Sequence, residues 1–265
     1  MLKQGLLAIT AIIGTPGWAN DLPQLPPADV IILGETHDNG LHHAGQAEYL
    51  KTLSPTAVVF EMLSVEQAEI VNSDPKTDLP QLGKTIGWEA AGWPDFSLYA
   101  PIFSALGETP AIAAGTKREV VQRAFGEGAA TVFGRDAATF GLDDPLPTAE
   151  LEARKSMQFE AHCRAMPIEM MAGMVEAQRV RDAVMAQAVL DALEDFGPPV
   201  AVIAGSGHAH KIWGVPALLA HAKPDIAVLS VAFVETGNAP DLQAFDIVIP
   251  TAPVERDDPC QAFEK

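Results

Sequence analysis

Short apolar runs rich in β-branched residues, each closed by a breaker, recur along the chain and predict strands. The first covers residues 29–33 (DVIIL), after a proline-rich lead-in, and the second covers Ala57–Phe60 (AVVF). Residues 41–53 between them have helical composition, so strand, helix and strand fit within about 30 residues, the span of a right-handed βαβ unit. A weaker strand is predicted at 111–114, followed by stronger ones at 200–204 (VAVIA), 226–233 (IAVLSVAF) and 245–249 (FDIVI). A helix at Val215–Ala222 joins two of these and repeats the alternation. Several runs are apolar throughout, as expected of a parallel sheet covered on both faces.

The middle of the chain is patterned differently. From 117 to 196 no strand is predicted and helix-forming residues dominate, with Pro145 and Pro147 dividing the stretch. A long helix over 167–196 starts with proline in its first turn and stops before Gly197-Pro198-Pro199. The expected fold is therefore α/β, a parallel-sheet domain flanked by helices with an inserted helical subdomain at about 117–196.

The amino terminus reads as an address. Lys3, an apolar run from Leu6 to Ile13, the breakers Gly14, Pro16 and Gly17, and small residues at Gly17 and Ala19 have the layout of a secretory signal peptide over 1–19. The apolar run is too short to span a bilayer, and no cysteine stands at the cleavage point to accept a lipid. The expectation is a protein released into the periplasm, with residues 20–265 as the mature domain and no stable membrane insertion. Cys163 and Cys260 are compatible with one disulfide in an oxidising compartment, with their pairing left open.

The 48% hydrophobic content supplies ample core. A formal charge of −18 argues against nucleic acid and anionic membrane partners, because both need a basic face. Any anionic ligand then needs a local pocket of positive or hydrogen-bonding groups, and Lys117 and Arg118 are candidates for it.

Ligands of open parallel sheets bind outside the carboxyl ends of the strands. After the first strand comes Gly34-Glu35-Thr36-His37-Asp38-Asn39, and the second runs into Glu61. The third is followed by Gly115-Thr116-Lys117-Arg118 and the fourth by Gly205-Ser206-Gly207-His208. Two histidines, two carboxylates and a basic pair thus gather at one edge. On the first helix His43 and Gln46 share a stripe with Leu50 and Leu53 and are expected to point inward, whereas His42 and Tyr49 are assigned to the surface. Trp88 and the segment Trp93 to Pro101, which contains Tyr99, form either a helix end packed on the sheet or an aromatic wall for a flat ligand. Met170, Met171 and Met174 are either adaptable core or the lining of an open pocket. Arg181, further along, can pair with a carboxylate of protein or ligand.

Four segments carry a resemblance: ILGETHDNGLHHAGQ (32–46), WPDFSLYAP (93–101), HCRAMPIEMMAGMVEAQRVRDAVMA (162–186) and AGSGHAHKIWGVP (204–216). Together, and in this order, they resemble the ChaN family of haem-binding iron-uptake proteins, within the wider group that includes the Tiki proteins. The resemblance implies a haem-binding homodimer in which a tyrosine ligates iron. It places Tyr99 as that ligand and His37 or His43 as partners of the propionates. Trp93, Met170, Met174, Gln46 and Arg181 complete the expected haem site. The chain departs from the family pattern at Arg164, where glycine is expected, and at Ser206, where asparagine is usual.

The leading expectation is thus a haem carrier without turnover. The alternative is a metal-dependent hydrolase, resembling the Tiki-type relatives, with manganese, cobalt or zinc on His37, Glu61 and His208 and with Glu35 as base. Imidazole and carboxylate ligands around an open position are what such a centre needs.

Overall fold

The structure, a computed structural model, describes residues 22–237, 243–258 and 260–261. The expected leader and its cleavage point lie outside the described residues. Six strands form one sheet: β1 (Val30–Glu35), β2 (Ala57–Phe60), β3 (Ala111–Ala113), β4 (Val200–Gly205), β5 (Val228–Glu235) and β6 (Ile247–Thr251). Their order is β3-β2-β4-β1-β5-β6, and every neighbouring pair is parallel. The fold is α/β, as the apolar strands and the alternation with helices led one to expect.

Side chains on successive strand residues point to opposite faces, and this divides the core in two. Val30, Ile32, Val59, Val200 and Val202 face one layer, while Ile31, Leu33, Phe60, Ala201 and Ile203 face the other. Four helices of the first half, α1 (Gly40–Leu53), α2 (Val65–Ser73), α3 (Leu79–Thr85) and α4 (Phe96–Leu106), cover the second face. The opposite face is covered by helices from later in the chain, α5 (Arg118–Glu127), α6 (Ala129–Phe133), α8 (Met171–Phe196) and α9 (Val215–Ala222), while α7 (Thr148–Ala161) packs on α8. The sequence stretch without strands, 117–196, is therefore what closes this layer, and Val180, Ala183, Ala186 and Val189 of α8 share one apolar cluster with the strands.

Three local details follow from chain chemistry. Asn39 caps α1 by accepting from the Leu41 N–H at 2.9 Å, and Ser64 caps α2 with Gln67 returning the bond. Arg164 adopts a left-handed conformation with φ 55°, which is why glycine suits that position. His42 and Tyr49, assigned to the surface from their stripe, are both buried instead. His42 bridges the Thr36 N–H and the Thr251 hydroxyl, each at 2.8 Å, and Tyr49 packs towards Phe233 while donating to the Pro23 carbonyl. The second stripe of α1 is covered by β5 and by the lead-in to β1, neighbours that a helical wheel does not show.

After β6 the chain turns back across the carboxyl edge. Arg256 pairs with Asp38 at 2.8 Å and with Glu235 at 2.6 Å, and Asn39 also donates to Glu235. The Arg256 pair holds the Glu235 carboxyl down to about 2. Cys260 is disulfide-bonded to Cys163, 97 residues earlier, so the tail and the turn before α8 are tied together.

Ile203, at the centre of β4 between Leu33 and Phe60 and without exposed surface, tests the packing of the α1–α4 face. Ile203→Ala should cost about 2–5 kcal/mol, read as a lower urea midpoint with an unchanged slope; a loss under about 1 kcal/mol would mean that this layer is loosely packed.

Candidate functional site

The alternation that splits the core also builds the site. Glu35 continues the series Ile31, Leu33 and so points towards α1 and α4, whereas Glu61 continues Ala57, Val59 and points towards α8. Between them, in the middle strand, Gly205 pairs in register with Glu35 and donates its N–H to Glu61 Oε2 at 2.8 Å. The two carboxylates thus sit at the ends of three adjacent strands, one on each side of a common crevice. Both are buried.

On the α1–α4 side the Tyr99 hydroxyl donates to Glu35 Oε1 at 2.5 Å, and His37 Nδ1 lies 2.9 Å from the same oxygen. His43 Nε2 lies 3.4 Å from it, and the His43 ring stacks on Tyr99 with centroids 3.9 Å apart. On the α8 side Arg181 donates to Glu61 Oε1 at 2.5 Å and His208 Nε2 lies 3.3 Å from it. His208 Nδ1 in turn donates to Asp182 at 2.5 Å, and the Gln178 amide nitrogen lies 3.1 Å from the ring. His37 spans the crevice, with Nδ1 on Glu35 and Nε2 3.9 Å from Glu61. A Cβ on Gly205 would come within 2.9 Å of that Nε2, so only glycine leaves room for the ring.

Burial opposes ionisation of both glutamates, but the charged and hydrogen-bonding groups around them outweigh it. Glu35 falls to about 2 under the influence of His37 and His43, and Glu61 is lowered further by His208, His37 and Arg181. Against the effect of burial, Glu35 and Glu61 raise His37, and Glu61 and Asp182 lift His208 to about 9. Burial and the adjacent Glu35 carboxylate push the Tyr99 phenol far up, so it remains a protonated donor.

The sequence-predicted residues divide cleanly. Glu35, His37, His43, Tyr99, Glu61, Arg181 and His208 all meet in the crevice. Gln46 points inward but spends its amide on the Leu33 carbonyl at 2.9 Å. Tyr99 has no exposed surface, lying behind His43 and Trp88, and so stands inside the wall rather than on it. In the aromatic segment Trp88 is core, and the half-buried Trp93 sits edge-on to His37 at 5.1 Å. Of the methionines, Met171 is buried, Met174 is half-buried and Met170 is 44% exposed. Met170, Met174, Gln178 and Arg181 follow one another at helical spacing from the surface down to Glu61. Lys117 and Arg118 are exposed at the start of α5. Ser206 donates its hydroxyl to the Glu35 carbonyl at 3.0 Å, which holds the turn after β4 against β1.

Asp182 is the residue that sequence reasoning left without a role. Its only signal in sequence was an acid one turn after Gln178 and next to Arg181, and its burial appears once α8 is docked. Glu61, His37 and His208 do come together, yet among the described residues no group of three His, Cys, Asp or Glu side chains is arranged to hold a metal ion.

A family model described as haem-binding uptake, Tiki superfamily, ChaN matches residues 22–219. Among solved structures the chain is similar to ChaN of Campylobacter jejuni, described for cofacial heme binding, with a TM-score of 0.56 and 20% identity over 83% of this chain and 86% of that one. Looser likenesses are to the type III effector HopBA1, with a TM-score of 0.46 and 16% identity over 84% and 88% of the two chains. The erythromycin esterase EreC gives a TM-score of 0.46 and 11% identity over 78% and 70%. At these identities the first likeness is one of fold, and the other two are too loose to carry weight. No curated protein matches the chain.

The charge arrangement predicts a pH profile of stability. Glu35, at about 2 against an ordinary 4.5, contributes fully above 4.5 and loses its contribution as pH falls towards 2. His208, at about 9 against an ordinary 6.5, contributes fully below 6.5 and loses its contribution as pH rises through 9. Burial holds His42 at about 4 against an ordinary 6.5, so its contribution is lost as pH falls below 6.5, and the thermal midpoint should be highest near pH 6.5. Asp182→Asn should flatten the alkaline decline; an unchanged alkaline slope in calorimetry would remove His208 as its source.

Proposed function

We propose, from the premise that the chain belongs to the ChaN family of haem-binding uptake proteins in the Tiki superfamily, that it is an exported haem carrier of the periplasm serving iron uptake. The observation that carries the reading is the set of side chains gathered at the carboxyl ends of β1, β4 and β2. Its polar part is the pair of buried glutamates with their partners, Trp93 sits edge-on to the part-exposed His37, and Met174 lies one turn before Gln178 on α8 with Met170 at that helix's cap. That combination suits a flat, amphipathic macrocycle, which needs apolar walls for its faces and polar groups for its iron and propionates.

These residues fit haem by their donor set. The crevice offers imidazole nitrogen held by a carboxylate, and it offers Arg181, whose side chain is 31% exposed and whose planar guanidinium can extend to a propionate. Haem would supply the iron centre and two carboxylates; the chain supplies orientation, the apolar enclosure and the hydrogen bonds. Export is supported by the amino-terminal pattern and by the Cys163–Cys260 disulfide, which suits an oxidising compartment. No helix of the described residues is long and apolar enough to cross a membrane. A homodimer with haem at its interface is part of the proposal, supported by the cofacial heme binding described for the Campylobacter jejuni protein.

The metal-hydrolase alternative has less support. Glu61 is already engaged by the Arg181 guanidinium and the Gly205 N–H, and His208 is held in its protonated form by two carboxylates. A divalent ion there would have to displace positive charge at each position.

Titrating the mature protein with haemin should give a saturable shift of the Soret band, and light scattering should show dimer mass for the loaded protein. An unchanged haemin spectrum at micromolar protein would overturn the carrier reading, while monomer mass with saturable binding would overturn only the dimer.

A further inference from the structure

Resting on the haem-binding reading, we propose that His37, through Nε2, is the residue of this chain that ligates the haem iron. Three histidines and one tyrosine at the crevice are of the types that ligate haem iron, and their surroundings separate them. Tyr99 has no exposed surface, is covered by His43 at 3.9 Å and Trp88 at 4.7 Å, and commits its hydroxyl hydrogen to Glu35. A phenolate at that point would face a buried carboxylate, so the oxygen cannot serve iron without rebuilding the wall around it. His43 is equally enclosed, between Tyr99 and Glu35. His208 has both ring nitrogens occupied, one by Asp182 and the other by Glu61.

His37 differs on each count. Its side chain is 33% exposed, and it lies on the loop after β1 with Trp93 as a neighbour. Glu35 holds Nδ1 at 2.9 Å, which assigns the hydrogen to that nitrogen and aims the Nε2 lone pair away from it. Glu61 Oε2 lies 3.9 Å from Nε2, beyond hydrogen-bond distance. A carboxylate behind the far nitrogen is the arrangement that fixes a ligating imidazole and strengthens it as a donor. Glu35 is itself held by Tyr99 and His43, so these two buried groups act through the carboxylate and not on the iron. Any proton that Nε2 carries in the free protein leaves to solvent when the iron–nitrogen bond forms, with no change in oxidation state.

The test compares ferric haemin complexes of the wild-type protein, His37→Ala and Tyr99→Phe by absorption and electron paramagnetic resonance. Wild type and Tyr99→Phe should share one imidazole-type spectrum. His37→Ala should lose that spectrum and bind haemin at least about tenfold more weakly, and added free imidazole should restore it, which a merely structural role for the ring would not allow. A tyrosinate charge-transfer band that survives in His37→Ala and disappears in Tyr99→Phe would overturn the assignment and return the ligand to Tyr99. No saturable haemin binding by the wild-type protein would overturn the carrier reading itself, before either variant is consulted.

Discussion

Two carboxylates buried at the ends of adjacent strands set the terms for everything around them. Moving an ion from water to a protein interior costs several kcal/mol even after relaxation, and Glu35 and Glu61 have almost no exposed surface. Each is tolerated because a different set of elements brings compensating groups to it. The loop after β1, α1 and α4 serve Glu35, and α8 together with the turns around Gly205 and His208 serves Glu61. The narrow space above Gly205 is filled by His37, which faces both carboxylates.

The arrangement has a functional corollary. Groups that neutralise a buried charge are spent, Tyr99 and His208 wholly and Arg181 through one of its nitrogens. His37 touches both carboxylates at once and is the one imidazole of the cluster with substantial exposure. The floor of the crevice is thus fixed by charge pairs, with one partly exposed imidazole above it. The carboxyl-terminal tail adds to this rigidity. Its Arg256 fastens the loop that carries Asp38 next to His37, and the disulfide ties the tail to the turn preceding α8.

Much of this was legible beforehand because it depends on short-range pattern. Runs such as VIIL and VAVIA can only be buried on both faces, which requires a parallel sheet with helical layers, and the strand ends then name Glu35, His37, Glu61 and His208. The ends of β5 and β6 lie two residues beyond the predicted runs. Pairing extends those strands through Val234, Glu235, Pro250 and Thr251, whose pattern alone does not mark them. Asp182 was passed over because a polar residue on a long helix reads as solvent-facing until the helix is docked.

The sequence by itself determined which residues line the carboxyl edge, because strand period and chain direction are local properties of the backbone. Only the tertiary structure decided which of them are enclosed and which are open. Tyr99 and His42 look, in sequence, as available as His37. One is sealed behind His43 and Trp88, and the other bridges β6 to the loop after β1. Exposure is fixed by which distant segments pack over a side chain, and that depends on contacts some 60 to 210 residues apart, which no local pattern records.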